Sequence, residues 1–292
     1  MTAVRIWVGG ARPRTLSAGL VPVAVGAAVA VGEGSHTAWW RAGAALVVGM
    51  ALQVAVNFAN DYSDGVRGTD DSTRVGPRRL VGSGLVEARS VKLAAFAAFG
   101  VAMAAGAVLA AAAGWELLAA GAVCIAAGWA YTGGPRPYGY LGLGEVFVFV
   151  FFGLVATAGT AYALLERLDW FAVLCGVPVG LWAVSLLMAN NLRDIAGDEA
   201  AGKRTLAVRL GDRGTRVAYM AVLEASYAAA LVASVTGRAA AAAVVGAPFA
   251  VRAVRKVLRG ASGRDLIPVL GATAQAQLAS GLAMAVGIAL TG

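Results

Sequence analysis

Apolar blocks of about twenty residues leave this chain few ways to fold. Nine can be traced, at 15–32, 40–61, 92–113, 115–133, 143–163, 170–191, 214–236, 239–257 and 268–290. A helix needs about 20 such residues to cross the hydrocarbon core of a bilayer. With 59% hydrophobic and 14% charged residues over 292 positions, and a mean hydropathy of +0.74, the chain lacks the polar surface of a soluble domain. The expectation is an all-α, polytopic membrane protein with nine transmembrane helices. The first block is long enough to span and is read as helix 1 rather than as a cleavable leader.

The charges orient it. Of 24 Lys and Arg, 21 fall before helix 1 or in the connections 2–3, 4–5, 6–7 and 8–9, and only Arg41, Arg167 and Arg238 fall in the others. The positive-inside rule places the N-terminus in the cytoplasm and the C-terminus outside. A net charge of +8 distributed in this way faces an anionic membrane surface and not nucleic acid. The longest connections, about 62–91 and 192–213, are predicted cytoplasmic loops, where function is expected. The blocks read as a single domain over 1–292: two four-helix pseudo-halves plus a ninth helix.

Cys124 and Cys175 sit inside apolar blocks and read as small core residues. His36 is the only histidine, which excludes a His-based metal site.

Two helix ends break the apolar pattern. Helix 2 closes on NFANDYSDGVRGTDD, with Asn57, Asn60, Asp61 and Asp64 at i, i+3, i+4 and i+7, one helix face. Helix 6 closes on MANNLRDIAGDEAAGKRTLAVRLG, where Asn190, Asp194 and Asp198 step by four beside Asn191. Ionisable groups at the mouth of a membrane helix are costly and mark function. Carboxylates converging from two helices need a cation between them. Asp and Asn oxygens are hard ligands suited to Mg²⁺ or Ca²⁺. The adjoining loops offer Arg67, Arg74, Arg78, Arg79, Lys203 and Arg204 among glycines. Together they read as a metal–diphosphate cradle at the cytoplasmic surface. Asp70, Asp71, Glu199 and Asp212 read instead as interface-solvating charges.

At these residues the chain resembles the UbiA superfamily of intramembrane aromatic prenyltransferases. The family's Asn-Asp-x-x-Asp motif appears as Asn60-Asp61-Tyr62-Ser63-Asp64, and its Asp-x-x-x-Asp motif as Asp194-Ile195-Ala196-Gly197-Asp198. A further family Asp is replaced by Gly68, with Asp70 and Asp71 just beyond. GARPRTL, RVGPRRLVGSG and YTGGPRPYGYLGLGE extend the likeness over nearly the whole chain, toward the menaquinone-pathway subgroup.

The resemblance implies nine helices around a central cavity open to the cytoplasm. It implies transfer of a prenyl group from polyprenyl diphosphate to 1,4-dihydroxy-2-naphthoate in a cell-membrane enzyme. Asp61, Asp64, Asp194 and Asp198 would act in catalysis by holding Mg²⁺. Asn57, Asn60, Asn190 and Asn191 would bind the diphosphate or complete the metal shells, and Arg67 and Lys203 would neutralise it. Tyr131, Arg136 and Tyr138, with Tyr140, are placed to meet the acceptor or the diphosphate; packing is the competing reading for the tyrosines. Glu145 is either a site group or a helix-start charge. Trp129, Phe149, Phe151 and Phe152 read as packing residues or lipid anchors. Alternative acceptors are 4-hydroxybenzoate, homogentisate, a chlorophyllide-like ring or a glycerol phosphate. From other classes, the alternatives are a divalent-cation or small-molecule transporter and a membrane-anchored scaffold.

Overall fold

The computed structural model describes residues 2–34, 38–69, 76 and 78–292. His36, Asp70, Asp71 and Arg74 lie outside the described residues. The all-α expectation holds: the described residues form helices and turns, with no strand among them.

In chain order the elements are α1 (Ala3–Ala11), α2 (Ser17–Gly32), α3 (Trp39–Val66), α4 (Ala88–Ala113) and α5 (Glu116–Ala130). Next come α6 (Gly144–Val148), a π-helical stretch Phe149–Val155, and α7 (Ala156–Leu165), which together run as one rod. They are followed by α8 (Trp170–Ala200), α9 (Leu206–Ser234), α10 (Ala247–Leu258) and α11 (Ile267–Thr291). Among the described residues six helices are long and apolar enough to cross a bilayer, and a seventh span results if the pair α1–α2, bent by 51°, counts as one.

Several boundaries differ from the sequence reading. The residues before helix 1 are themselves helical, and the chain turns at Arg12, whose φ of 52° is left-handed. α3 continues to Val66 and α8 to Ala200. Most of the expected 192–213 loop is therefore helix, and only residues 201–205 connect α8 to α9. Polar residues closed the hydropathy windows, but backbone hydrogen bonding does not stop where hydropathy does. Gly211, with φ 69° and ψ 176°, breaks α9 near its start. The expected 239–257 helix is a 3₁₀ stretch, Ala240–Gly246, leading into α10.

α8 is the central rod. Trp182, Tyr219, Leu223, Met284 and Ile288 are fully buried in the largest core cluster, which joins α8 to α9, α2 and α11. Buried polar pairs tie the helices: Tyr219 shares a 2.7 Å hydrogen bond with Thr273, and Ser17 donates to Gln277 at 2.8 Å. Such bonds replace the hydrophobic drive that helices lack in lipid. Large apolar side chains are exposed around the rim. Trp39, Trp115 and Trp170 are 66%, 69% and 75% exposed. They sit at the helix ends opposite the acidic clusters, as an interfacial aromatic belt would.

On that same side the three exceptional cations are all paired with acids. Arg41 donates to Glu166 at 2.6 Å. Arg167 donates to Glu33 at 2.6 Å, and Arg238 donates to Glu33 as well.

Glycine contacts set the helix spacing. A Cβ on Gly153 would lie 2.5 Å from the Gly180 Cα, and one on Gly180 would lie 2.8 Å from the Phe149 carbonyl oxygen. Backbone meets backbone here, so no side chain can yield. We expect Gly180→Val to separate α8 from the π stretch, at about the 1–3 kcal/mol typical of overpacking. The check is a lowered detergent-solubilised melting temperature and a loss of monodisperse protein on gel filtration.

Candidate functional site

The C-terminal ends of α3 and α8 meet at the mouth of one cavity of about 600 Å³. Asp64 from α3 and Asp194 and Asp198 from α8 line it, with Asn57, Asn60, Asn190, Asn191 and Lys203. Its depth is apolar, walled by residues such as Val48, Leu109, Phe151, Val155 and Leu187.

One ammonium joins the two helices. Lys203 Nζ lies 2.9 Å from an Asp64 oxygen and 3.9 Å from an Asp198 oxygen. Its backbone N–H donates to the Asp198 carbonyl at 2.8 Å, across a turn closed by Gly202 at φ 73°. The position is thus fixed by the end of α8. Tyr140 completes the cluster: its hydroxyl donates to Asp64 at 2.7 Å, and its ring lies 4.8 Å from Lys203 Nζ. Burial by itself would push the Lys203 pKa down, but Asp64 and Asp198 more than offset it, so the pKa lies above the ordinary lysine value. The Tyr140 phenol is raised, first by burial and then by the Asp64 charge.

The other acids differ in their surroundings. Asp61 is 1% exposed and does not line the cavity. Its two oxygens accept the backbone N–H groups of Leu80 at 3.0 Å and Val81 at 2.9 Å. It staples the α3–α4 connection to α3, where the sequence reading had it facing a metal. Asp194 lines the cavity while taking two hydrogen bonds from Arg193, at 2.7 and 2.6 Å. Arg193 also donates to Asn190 at 2.8 Å. Arg193 is therefore buried in the site, although its position in the chain suggested a loop cation.

The amides divide similarly. Asn57 donates to the Ala11 carbonyl at 2.9 Å and to Thr15 at 3.0 Å, holding the α1–α2 elbow against α3. Asn60 accepts from Thr132 at 2.8 Å. Asn191 donates to the buried Glu145 at 3.0 Å, which makes Glu145 a support of the cavity wall. Arg67 departs from its expected role: its guanidinium donates to the Thr132 and Gly134 carbonyls and clamps the chain after α5 onto α3.

Tyr131 and Tyr138 line the cavity, with ring centroids 5.5 Å apart. Tyr138 stacks on Phe147 at 3.8 Å and donates to the Ala127 carbonyl at 2.9 Å. Arg136 is exposed in the turn and is not part of the cavity wall. The wall also includes Arg12, Thr15, Gln53 and Thr132, to which the sequence reading gave no part in the site. GARPRTL and YTGG carried the signal for three of them, as polar residues beside helix breakers.

Among the described residues no group of three or more His, Cys, Asp or Glu forms a ready-made metal site. The donors present are hard oxygens, and Lys203 marks a place where one cation reaches carboxylates of both helices.

Fold and site together define an integral membrane protein that pairs a charged polar mouth with an apolar interior. The sequence model of the UbiA prenyltransferase family matches residues 19–267, and the chain belongs to that family. It is 49% identical to a 1,4-dihydroxy-2-naphthoate octaprenyltransferase of Mycobacterium tuberculosis, over 98% of this chain and 97% of that one. The Escherichia coli protein of the same name is 32% identical, over 100% and 97%. A solved UbiA homolog from Aeropyrum pernix superposes with a TM-score of 0.68 at 19% identity, covering 94% of this chain and 97% of that one. One from Archaeoglobus fulgidus, bound to DMAPP and Mg²⁺, gives 0.58 at 16%, covering 96% and 99%.

Asp61→Ala frees the buried Leu80 N–H and the part-buried Val81 N–H, and costs about 1–3 kcal/mol for the buried one left unpaired. The expected readout is a lower melting temperature together with faster proteolysis around residues 78–86.

Proposed function

We infer that this protein transfers a long-chain prenyl group from polyprenyl diphosphate to 1,4-dihydroxy-2-naphthoate. Diphosphate and CO₂ leave, and the product is demethylmenaquinone in its reduced form. The observation that carries the reading is a cavity of about 600 Å³ with an apolar interior and a mouth built of Asp64, Asp194, Asp198 and Lys203. The names of relatives at 49% and 32% identity support the acceptor.

Nine spans in the bilayer, N-terminus in and C-terminus out, suit this arrangement. The six long helices and the bent α1–α2 pair account for seven. α5 and the 3₁₀–α10 pair would supply the other two. The mouth then opens to the cytoplasm of the cell membrane, where the water-soluble acceptor arrives.

Mg²⁺ fits the donor set. Asp64 and Asp198 would hold it, joined by Asp194, the carboxylate that Arg193 orients. When bound, the metal stabilises negative charge developing on the departing diphosphate. Lys203 adds a cation at the same place. Asn60, Asn190 and Asn191 offer amide groups around the head group. Asp61, Asn57 and Arg67 keep the mouth in shape from behind.

The reaction breaks the allylic C1–O bond and joins C1 to the ring carbon that bears the carboxylate. The C1–C bond uses a ring electron pair. Loss of CO₂ returns the pair of the broken C–C bond to the ring, so no base has to remove a ring proton. Tyr131 and Tyr138 present aromatic faces where positive charge grows on C1 and where the planar acceptor can stack. The apolar wall excludes water, which would otherwise capture the cation as an alcohol.

The test is purified protein with one prenyl diphosphate and a panel of acceptors, scoring prenylated product and CO₂. Dihydroxynaphthoate should give both in equal amounts, and EDTA should abolish both. Product with 4-hydroxybenzoate or homogentisate alone would reassign the acceptor; no product with any acceptor would remove the enzyme reading. Asp64→Asn and Asp198→Asn should each lower kcat by about 10²–10³-fold, the range for removing one preorganised electrostatic group.

A further inference from the structure

Lys203 has more to do than neutralise a bound anion. Its Nζ sits among the carboxylates that a divalent ion would use, 2.9 Å from Asp64 and 3.9 Å from Asp198. It is 9% exposed and lies under the Tyr140 ring. Two acids brought together from different helices, Asp64 buried and Asp198 half-buried, repel one another unless a cation separates them. Here the chain carries that cation itself. Lys203 also lines a second cavity of about 370 Å³, with Glu199, Gly202, Arg204, Val208 and Arg209. Lys203 thus borders both cavities on a flexible four-carbon stem.

We propose that Lys203 is a tethered competitor of the divalent cation, so that metal and diphosphate enter together and metal alone is held off. This inference rests on the metal–diphosphate reading of the site. Without ligand, Lys203 balances Asp64 and Asp198 and keeps the ends of α3 and α8 joined. A metal ion arriving alone has to expel an ammonium from its carboxylates and leave it in a pocket whose other charged groups are Arg204, Arg209 and Glu199, two cations against one acid. A metal arriving with diphosphate brings anionic oxygens for the expelled ammonium, and the cost disappears. The two ligands are coupled through one side chain, and linkage makes the coupling reciprocal. Held out in this way, the metal cannot occupy the site without the substrate's head group.

The experiment uses purified full-length protein in detergent and reads melting temperature during titration with MgCl₂, with inorganic pyrophosphate, and with both. In the wild type, MgCl₂ alone should shift the midpoint little, and pyrophosphate should strengthen apparent Mg²⁺ affinity by about tenfold or more, a usual size for coupling. Lys203→Met should melt lower without ligand, bind Mg²⁺ alone about tenfold more tightly, and lose most of the pyrophosphate coupling. Lys203→Arg keeps the charge and should retain the wild-type order of response. Equal or weaker Mg²⁺ affinity in Lys203→Met overturns the proposal. If that variant does not fold, the wild type still decides: Mg²⁺ affinity that is the same with and without pyrophosphate overturns it. A wild type that responds to no combination of Mg²⁺ and pyrophosphate would sink the metal–diphosphate reading itself, a separate outcome.

Discussion

The contact between Lys203 and the carboxylates of Asp64 and Asp198 is the interaction on which the site depends. It joins the ends of two helices that the chain separates by more than a hundred residues. Ion pairs in such surroundings are poor stabilisers, because removing each charge from water costs several kcal/mol. An apolar trio would hold the helices at least as well. The arrangement makes sense as a binding site whose charges stand balanced before a ligand arrives.

Around that contact, other polar residues act as fixtures. Asp61 takes the Leu80 and Val81 N–H groups, Asn57 holds the α1–α2 elbow, and Arg67 clamps the Thr132 and Gly134 carbonyls. Each ties a different connection to α3, so the mouth is framed from several sides by one helix. Close glycine contacts such as Gly153 against Gly180 fix the spacing of the helices behind it. The precision of the mouth is therefore set partly by backbone packing deep in the lipid-embedded part of the fold.

The apolar blocks made most helices legible in the sequence, and the spacing of Asn and Asp pointed to the two helix ends that line one cavity. Which acid faces the cavity was not. Asp61 and Asp64 are three residues apart, roughly 60° around a helix. That angle is enough to send one toward the 80–81 backbone and the other into the mouth, and only the packed neighbours decide which. The ends of α3 and α8 were missed because hydropathy falls at the mouth while the helix continues. The Arg12 elbow precedes Pro13 and the α9 break falls on Gly211, local signals that the hydropathy pattern does not weigh. Arg193 shows the same limit: a cation next in sequence to Asp194 looked like a loop charge, yet it is buried and hydrogen-bonded to that acid.

The central claim is that the ends of α3 and α8 together grip one diphosphate head while the cavity receives its tail. A structure of the protein with Mg²⁺ and an unreactive thio analogue of a prenyl diphosphate tests this most directly. The account predicts metal and phosphate density between Asp64 and Asp198, Lys203 turned onto phosphate oxygens, and the prenyl chain along the apolar wall. Density for the diphosphate at any place that does not touch both helices would contradict it.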